Sequence, residues 1–204
     1  GRFTAMSDAI WEHPEVAWQE FRSSKLQADF LAAEGFRVAW DLGGINTAFV
    51  AEWGSGRPIL GFLGEYDALA GLSQKRQPTE EPAVPGGPGH GCGHNLLGTG
   101  CLASAVALKE WLAATGSKGT VRYYGCPAEE QISGKAFMAR AGVFADLDAA
   151  LNYHPDRVNG LGVTGEEVRP ICPASDTTYA LRVVSAGGET TRELTIRVQP
   201  ATAT

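Results

Sequence analysis

Ile59-Leu60-Gly61-Phe62-Leu63 is an unbroken apolar run of strand length, and Gly64-Glu65-Tyr66-Asp67 follows it at once. A strand without alternation is buried on both faces, which calls for helices above and below a mostly parallel sheet. The flanking segments supply them. Phe3–Trp11 and Trp18–Glu34 carry apolar residues at helical spacing, Pro14 separates them, and Gly35 suits a helix C-terminus. Strands are expected at Phe36–Leu42, Thr47–Trp53, Pro58–Gly64, Thr120–Gly125 and Ala149–Tyr153. Helices are expected at Asn95–Ala114, closed by Gly116, and at Lys135–Ala141. Strands alternating with helices give an α/β domain with a largely parallel sheet. Tyr66–Gly91 is a Pro- and Gly-rich loop, and loops of that length inside a domain are usually functional or disordered.

The pattern changes near Asn159. Thr178–Ser185 and Thr190–Val198 alternate in polarity around Ala186-Gly187-Gly188-Glu189, the signature of a β-hairpin. The expected organisation is 1–158 as one α/β unit, 159–170 as a junction and 171–204 as a β-rich tail. The chain has 204 residues, with Lys+Arg 17 against Asp+Glu 23. That acidic balance, without a basic run, argues against nucleic acid as a partner. The longest apolar candidate, Leu96–Ala114, is broken by Gly98, Thr99, Gly100, Ser104, Lys109 and Glu110, so no membrane helix is expected. Gly1-Arg2-Phe3-Thr4 is no signal peptide and lacks an initiator Met, so the chain reads as trimmed or as a fragment. Four cysteines without a secretion signal point to reduced thiols and a cytoplasmic setting.

Four polar clusters stand at strand-to-loop junctions. Gly89-His90-Gly91-Cys92-Gly93-His94-Asn95 offers two soft metal ligands on a backbone free to bend. Pro127-Ala128-Glu129-Glu130 offers two carboxylates, one to hold a metal and one to move a proton. Asn152-Tyr153-His154-Pro155 adds a histidine, and Gly64-Glu65-Tyr66-Asp67-Ala68-Leu69 adds an acid that could orient a ligand. Each has a plain alternative: a Gly-rich turn, an acidic helix start, a structural histidine, a turn aspartate. Together, at the carboxyl ends of strands in one α/β sheet, they form the inventory of a metal-assisted hydrolase.

These motifs, in this order, resemble metallopeptidase family 20, the co-catalytic metallopeptidases that include aminoacylases and amidohydrolases of hippurate and auxin conjugates. The carrying stretches are Gly64–Leu69, Gly89–Gly98 and Tyr124–Glu130. Gly71-Leu72-Ser73-Gln74 and Ser133–Phe144 extend the likeness toward the branch that hydrolyses aminobenzoyl-glutamate. The resemblance covers roughly Phe3–Asp156 and implies a zinc-peptidase-like α/β fold, truncated here, followed by the β-hairpin segment. From Ile171 onward, Pro173–Tyr179 and the alternating final strand instead resemble the last strands of an immunoglobulin-like or PKD-like domain, with Tyr179 as its corner tyrosine.

The resemblance implies Cys92, His94, Glu130 and His154 as metal ligands, Glu129 as general base and Asp67 as the acid that positions a ligand. It implies two divalent metal ions, zinc by ligand softness or manganese by the habit of the branch. The implied reaction is cleavage of the amide bond of an N-acyl or N-aroyl amino acid, or of a dipeptide, such as aminobenzoyl-glutamate. The roles of Glu65 and His90 stay open. Ala70 replaces a proline usual in the family, and Gln131-Ile132 replaces a Gly-Gly pair. The family continues into a lid domain and a further histidine ligand that this chain lacks. The chain is therefore expected to be a poor catalyst alone, or an inactive binding fragment, with a homo-oligomer or partner subunit as ways to complete the site. Cys92 is expected as a free thiol and Cys101 as a packing residue.

Overall fold

A computed structural model describes residues 1–155 in full and, beyond them, the backbone of four strands. The chain divides into two compact units, Gly1–Pro155 and Asp156–Thr204. The first unit contains helix α1 (Arg2–Glu12), α2 (Phe21–Ala33), strand β1 (Arg37–Trp40), β2 (Phe49–Ser55) and β3 (Ile59–Glu65). It continues with α3 (His94–Thr115), β4 (Gly119–Cys126), the short α4 (Glu129–Ile132), α5 (Gly134–Arg140) and β5 (Ala149–Leu151).

The five strands lie in the order β1-β2-β4-β3-β5. β3 runs parallel to both β4 and β5, while β2 is antiparallel to β4 and to β1. Four of the five strands therefore share one direction, and β2 alone runs against them. The apolar run 59–63 lies between β4 and β5, but only Gly61 and Phe62 are buried; Ile59, Leu60 and Leu63 are partly exposed. Successive residues of β4 serve opposite faces. Tyr123 joins Phe49, Leu97 and Leu102 under α1, α2 and α3, whereas Tyr124 joins Ala48, Ile45 and Met138 near α5.

Helix boundaries differ from expectation where backbone geometry decides them. α2 starts at Phe21 rather than Trp18, because Trp18 adopts a left-handed conformation (φ 65°). α2 is closed by Gly35 (φ +87°), with the Gly35 and Phe36 amides turned back onto the Ala32 and Leu31 carbonyls. α3 corrects one expectation: its 22 residues are long and apolar enough, by length and composition, to cross a membrane. In this domain that apolarity goes into the core, since Leu97, Leu102, Ala105, Val106 and Leu112 are all buried. Each buried leucine contributes about 1.5–3 kcal/mol.

In the second unit, β6 (Gly160–Val163) pairs antiparallel with β7 (Glu167–Pro170), so the stretch expected to be a junction contains two paired strands. β8 (Thr177–Ser185) and β9 (Gly188–Ile196) pair antiparallel over their length, as the alternation predicts. The turn at 186–187, Cys172 and the side chain of Tyr179 lie outside the described residues.

Candidate metal centre

Register brings the site together. Glu65 stands opposite Cys126, so β3 and β4 end level, and β5 is aligned with β3 through Phe62 and Leu151. The loops leaving these three strands carry Asp67, Glu129 with Glu130, and His154. The fourth contribution comes from the start of α3. Gly93 there adopts φ +81°, a left-handed turn that lets Cys92 and His94 face one point. A Cβ at Gly93 would sit 2.7 Å from Pro155 Cγ, so the loop after β5 closes directly over this turn.

His94 is fully buried. Its Nδ1 lies 2.9 Å from Asp67 Oδ1 and 3.1 Å from the Asp67 carbonyl oxygen. Both are acceptors, so Nδ1 carries the proton and donates. The other Asp67 oxygen accepts the Glu130 amide at 2.9 Å. Burial pushes the Asp67 carboxyl up, but the His94 hydrogen bond and the amides of Glu130 and Glu129 outweigh it and hold the pKa low. His94 behaves in the opposite sense. Burial disfavours its cation, yet Asp67 first, then Glu65 and Glu130, raise its pKa.

His94 Nε2 faces three carboxylates: Glu65 Oε2 at 3.1 Å, Glu129 Oε2 at 3.8 Å and Glu130 Oε1 at 3.8 Å. Glu65 is close enough to hydrogen-bond but not aligned to do so, and both His94 Nε2 and Glu130 Oε1 are buried without a partner. The other Glu65 oxygen is ion-paired with Lys135. On the outer side, Cys92 Sγ lies 3.2 Å from His154 Nε2, and His154 Nδ1 donates to the Pro155 carbonyl at 2.9 Å. That bond leaves Nε2 as the free nitrogen. Burial, followed by the charge of Glu130, pushes the Cys92 thiol up to about 11. The donor atoms of Cys92, His94 and His154 lie within 4.8 Å of one another, as do those of Glu65, His94 and Glu129.

Buried polar atoms without hydrogen-bond partners, set among several carboxylates, are costly, and a divalent cation would satisfy them together. Imidazole, thiolate and carboxylate are also the donor types of a zinc or manganese site. On both counts the residues present fit a divalent metal. Residues 61–201 match the profile of peptidase family M20/M25/M40. The chain belongs to that family. It is 53% identical over 163 residues to one of the subunits of p-aminobenzoyl-glutamate hydrolase from Escherichia coli, covering 78% of this chain and 34% of that protein. It is 33% identical over 174 residues to the human Xaa-Arg dipeptidase, covering 78% and 36%. Among solved structures, a dinuclear metal-binding M20 peptidase from Bacillus subtilis superposes with TM-score 0.66 at 28% identity, covering 78% of this chain and 44% of that one. The chain thus spans about a third of the length of these curated relatives.

The structure brings together all six residues singled out from sequence: Asp67, Cys92, His94, Glu129, Glu130 and His154. It adds Glu65, whose carboxylate joins the cluster. His90 stands apart: its Nε2 lies 3.1 Å from the Ile10 carbonyl oxygen, and burial holds its pKa down to about 4. It lines a cavity of about 540 Å³ with Trp11, Lys75, Arg76 and Val84, which contains none of the cluster residues. Cys92, Cys101 and Cys126 are all unpaired. Cys101 is 2% exposed in the core and accepts the Tyr153 amide at 3.3 Å. Two polar residues are not singled out by sequence: Lys135, which pairs with Glu65, and Glu20, which is fully buried.

Proposed function

We propose that this chain carries the metal-holding part of an amidohydrolase that splits the amide bond of N-acyl or N-aroyl amino acids, with aminobenzoyl-glutamate as the leading substrate. The observation that carries the reading is the pair of buried side-chain atoms without a hydrogen-bond partner, His94 Nε2 and Glu130 Oε1, facing one space with Glu65 and Glu129. The substrate class rests on the likeness to the Escherichia coli aminobenzoyl-glutamate hydrolase. Cys92, His94, Glu130 and His154 would hold two divalent ions, zinc or manganese. Bound there, such ions supply polarisation of the amide carbonyl and acidification of water.

The chain's own residues do the remaining work. Asp67 fixes the His94 tautomer, so that Nε2 presents its lone pair to the cluster once the extra proton is displaced. Glu129, the most exposed of the carboxylates at 40% of its side chain, is free to take the proton of an attacking water. The same carboxyl then returns that proton to the leaving amine nitrogen. Lys135 neutralises one oxygen of Glu65 and limits the negative charge crowded around His94. The Escherichia coli relative is named as one component of a multi-chain enzyme, and we extend that expectation to a second copy or partner chain here.

Metal content after dialysis and release of p-aminobenzoate test the reading together. Expected are bound zinc or manganese and slow hydrolysis that Glu129→Gln abolishes while metal is retained. Hydrolysis undiminished in Glu129→Gln with metal bound overturns the assigned base. A dialysed chain without metal overturns the site.

A further inference from the structure

Glu20 is the N-cap residue of α2, a position from which a side chain can accept one of the helix's free amides. It does not do so here. Glu15, from the preceding turn, takes that task and accepts the amides of Arg22 at 2.9 Å and Ser23 at 2.8 Å. Released from the cap, the Glu20 side chain is completely buried and turned toward the loop after β4. One oxygen accepts the Ala128 amide at 2.8 Å, and the other accepts the Thr47 hydroxyl at 3.1 Å.

Ala128 is an unusual target. It holds a left-handed conformation (φ 56°, ψ 41°) without being glycine, a state that costs a non-glycine residue about 1–2 kcal/mol. This turn directs the next two side chains, Glu129 and Glu130, into the cluster. Asp67 grips the far side of the same turn through the Glu130 amide. Two buried carboxylates from different parts of the chain therefore hold the backbone on either side of Glu129.

We infer that Glu20 is a positioning residue for the two-glutamate loop, setting where Glu129 and Glu130 meet the metal by holding the Ala128 amide in its left-handed turn. The inference rests on the proposed metal site. Any buried carboxylate needs donors; what singles out Glu20 is that one of them is the amide that begins the two-glutamate turn.

Cobalt(II) serves as probe, because a thiolate-to-cobalt absorption band reports ligand geometry and chelator competition reports affinity. Glu20→Met keeps the volume and removes the acceptor, whereas Glu20→Gln keeps a carbonyl oxygen for the Ala128 amide. Expected is a loss of affinity of about tenfold or more and an altered band in Glu20→Met, with Glu20→Gln close to the unsubstituted chain. Thr47→Val asks the same question with the carboxylate in place, should Glu20→Met not fold. It should weaken binding by about twofold to threefold. Unchanged affinity and band in Glu20→Met, or in Thr47→Val where Glu20→Met does not fold, overturn the inference while leaving the metal site standing. An unsubstituted chain that binds no cobalt overturns the metal site, and the inference with it.

Discussion

Asp67 and His94, at the inner wall of the cluster, are enclosed almost completely, whereas Cys92 is half-buried and His154 is exposed at the outer rim. The inner pair is held by regular structure: Asp67 lies two residues past the end of β3, and His94 opens α3. The rim pair is held by the Gly93 turn and the loop after β5, with one side-chain contact between them. The inner half is therefore part of the fold's stability, while the outer half is fixed fully only when an ion joins its donors. A metal that binds to such a site gains little from the rim before it arrives and much from it afterwards.

The largest effect should come from the inner wall. Asp67→Ala leaves the His94 Nδ1 proton and the Glu130 amide unsatisfied in the interior. Urea denaturation of the metal-free chain should show a loss of about 3–5 kcal/mol. A loss below about 1 kcal/mol would mean that the inner half is as loosely held as the rim. Cys92→Ala should behave in reverse. Its metal-free stability should stay within about 0.5 kcal/mol, while metal affinity in a chelator competition falls by about two orders of magnitude. Equal losses in both measurements would erase the distinction.

Gly98→Ala probes how the inner wall is built. A Cβ there would collide with the Glu65 carbonyl oxygen at the end of β3. Overpacking of this kind costs about 1–3 kcal/mol, and it should weaken metal binding as well because α3 carries both Cys92's turn and His94. Stability lost with affinity intact would show that α3 can shift without moving His94. The smallest effect belongs to a surface network remote from both halves. Arg122 bonds Glu52 at 2.7 Å and Asp146 at 2.7 Å. Burial alone would raise the Glu52 carboxyl, but Arg122 and Arg37 outweigh it and hold the pKa below its ordinary 4.5. Its stabilisation is therefore present above about pH 4.5 and is lost as the pH falls through the lower, folded value. Arg122→Met should flatten that acid limb, cost no more than about 1 kcal/mol at neutral pH and leave metal affinity unchanged. Any change in affinity would place the network in the site.

The parts legible in the sequence are those fixed by neighbours along the chain. The apolar run at 59–63 announces an interior strand of the sheet, and Asp67, Glu129 and His154 follow their strands within a few residues, so the pattern alone puts them at one edge. The Cys92-Gly93-His94 turn is legible for the same reason. Contacts between distant segments are not. Glu20 reaches Ala128 across 108 positions, and Lys135 reaches Glu65 across 70. In the sequence, the first looks like an ordinary acidic residue at a helix start, and the second like any lysine of an amphipathic helix. The pairing of Gly160–Val163 with Glu167–Pro170 is hidden because neither segment offers more than a few alternating residues.

The position of β3 has a consequence for how this chain is made. Both neighbours of that strand, β4 and β5, come later in the sequence. Until Gly119–Cys126 has been synthesised, this largely apolar strand has no hydrogen-bonding partner on either side. At ordinary translation rates of about 5–20 residues per second, that interval lasts roughly 3–12 s. Two bare edges on an apolar strand for seconds are an invitation to pair with a neighbouring nascent chain. The long Pro- and Gly-rich segment between β3 and α3 lengthens the delay. Yield on overexpression should therefore be governed by events at the ribosome more than by the stability of the finished domain.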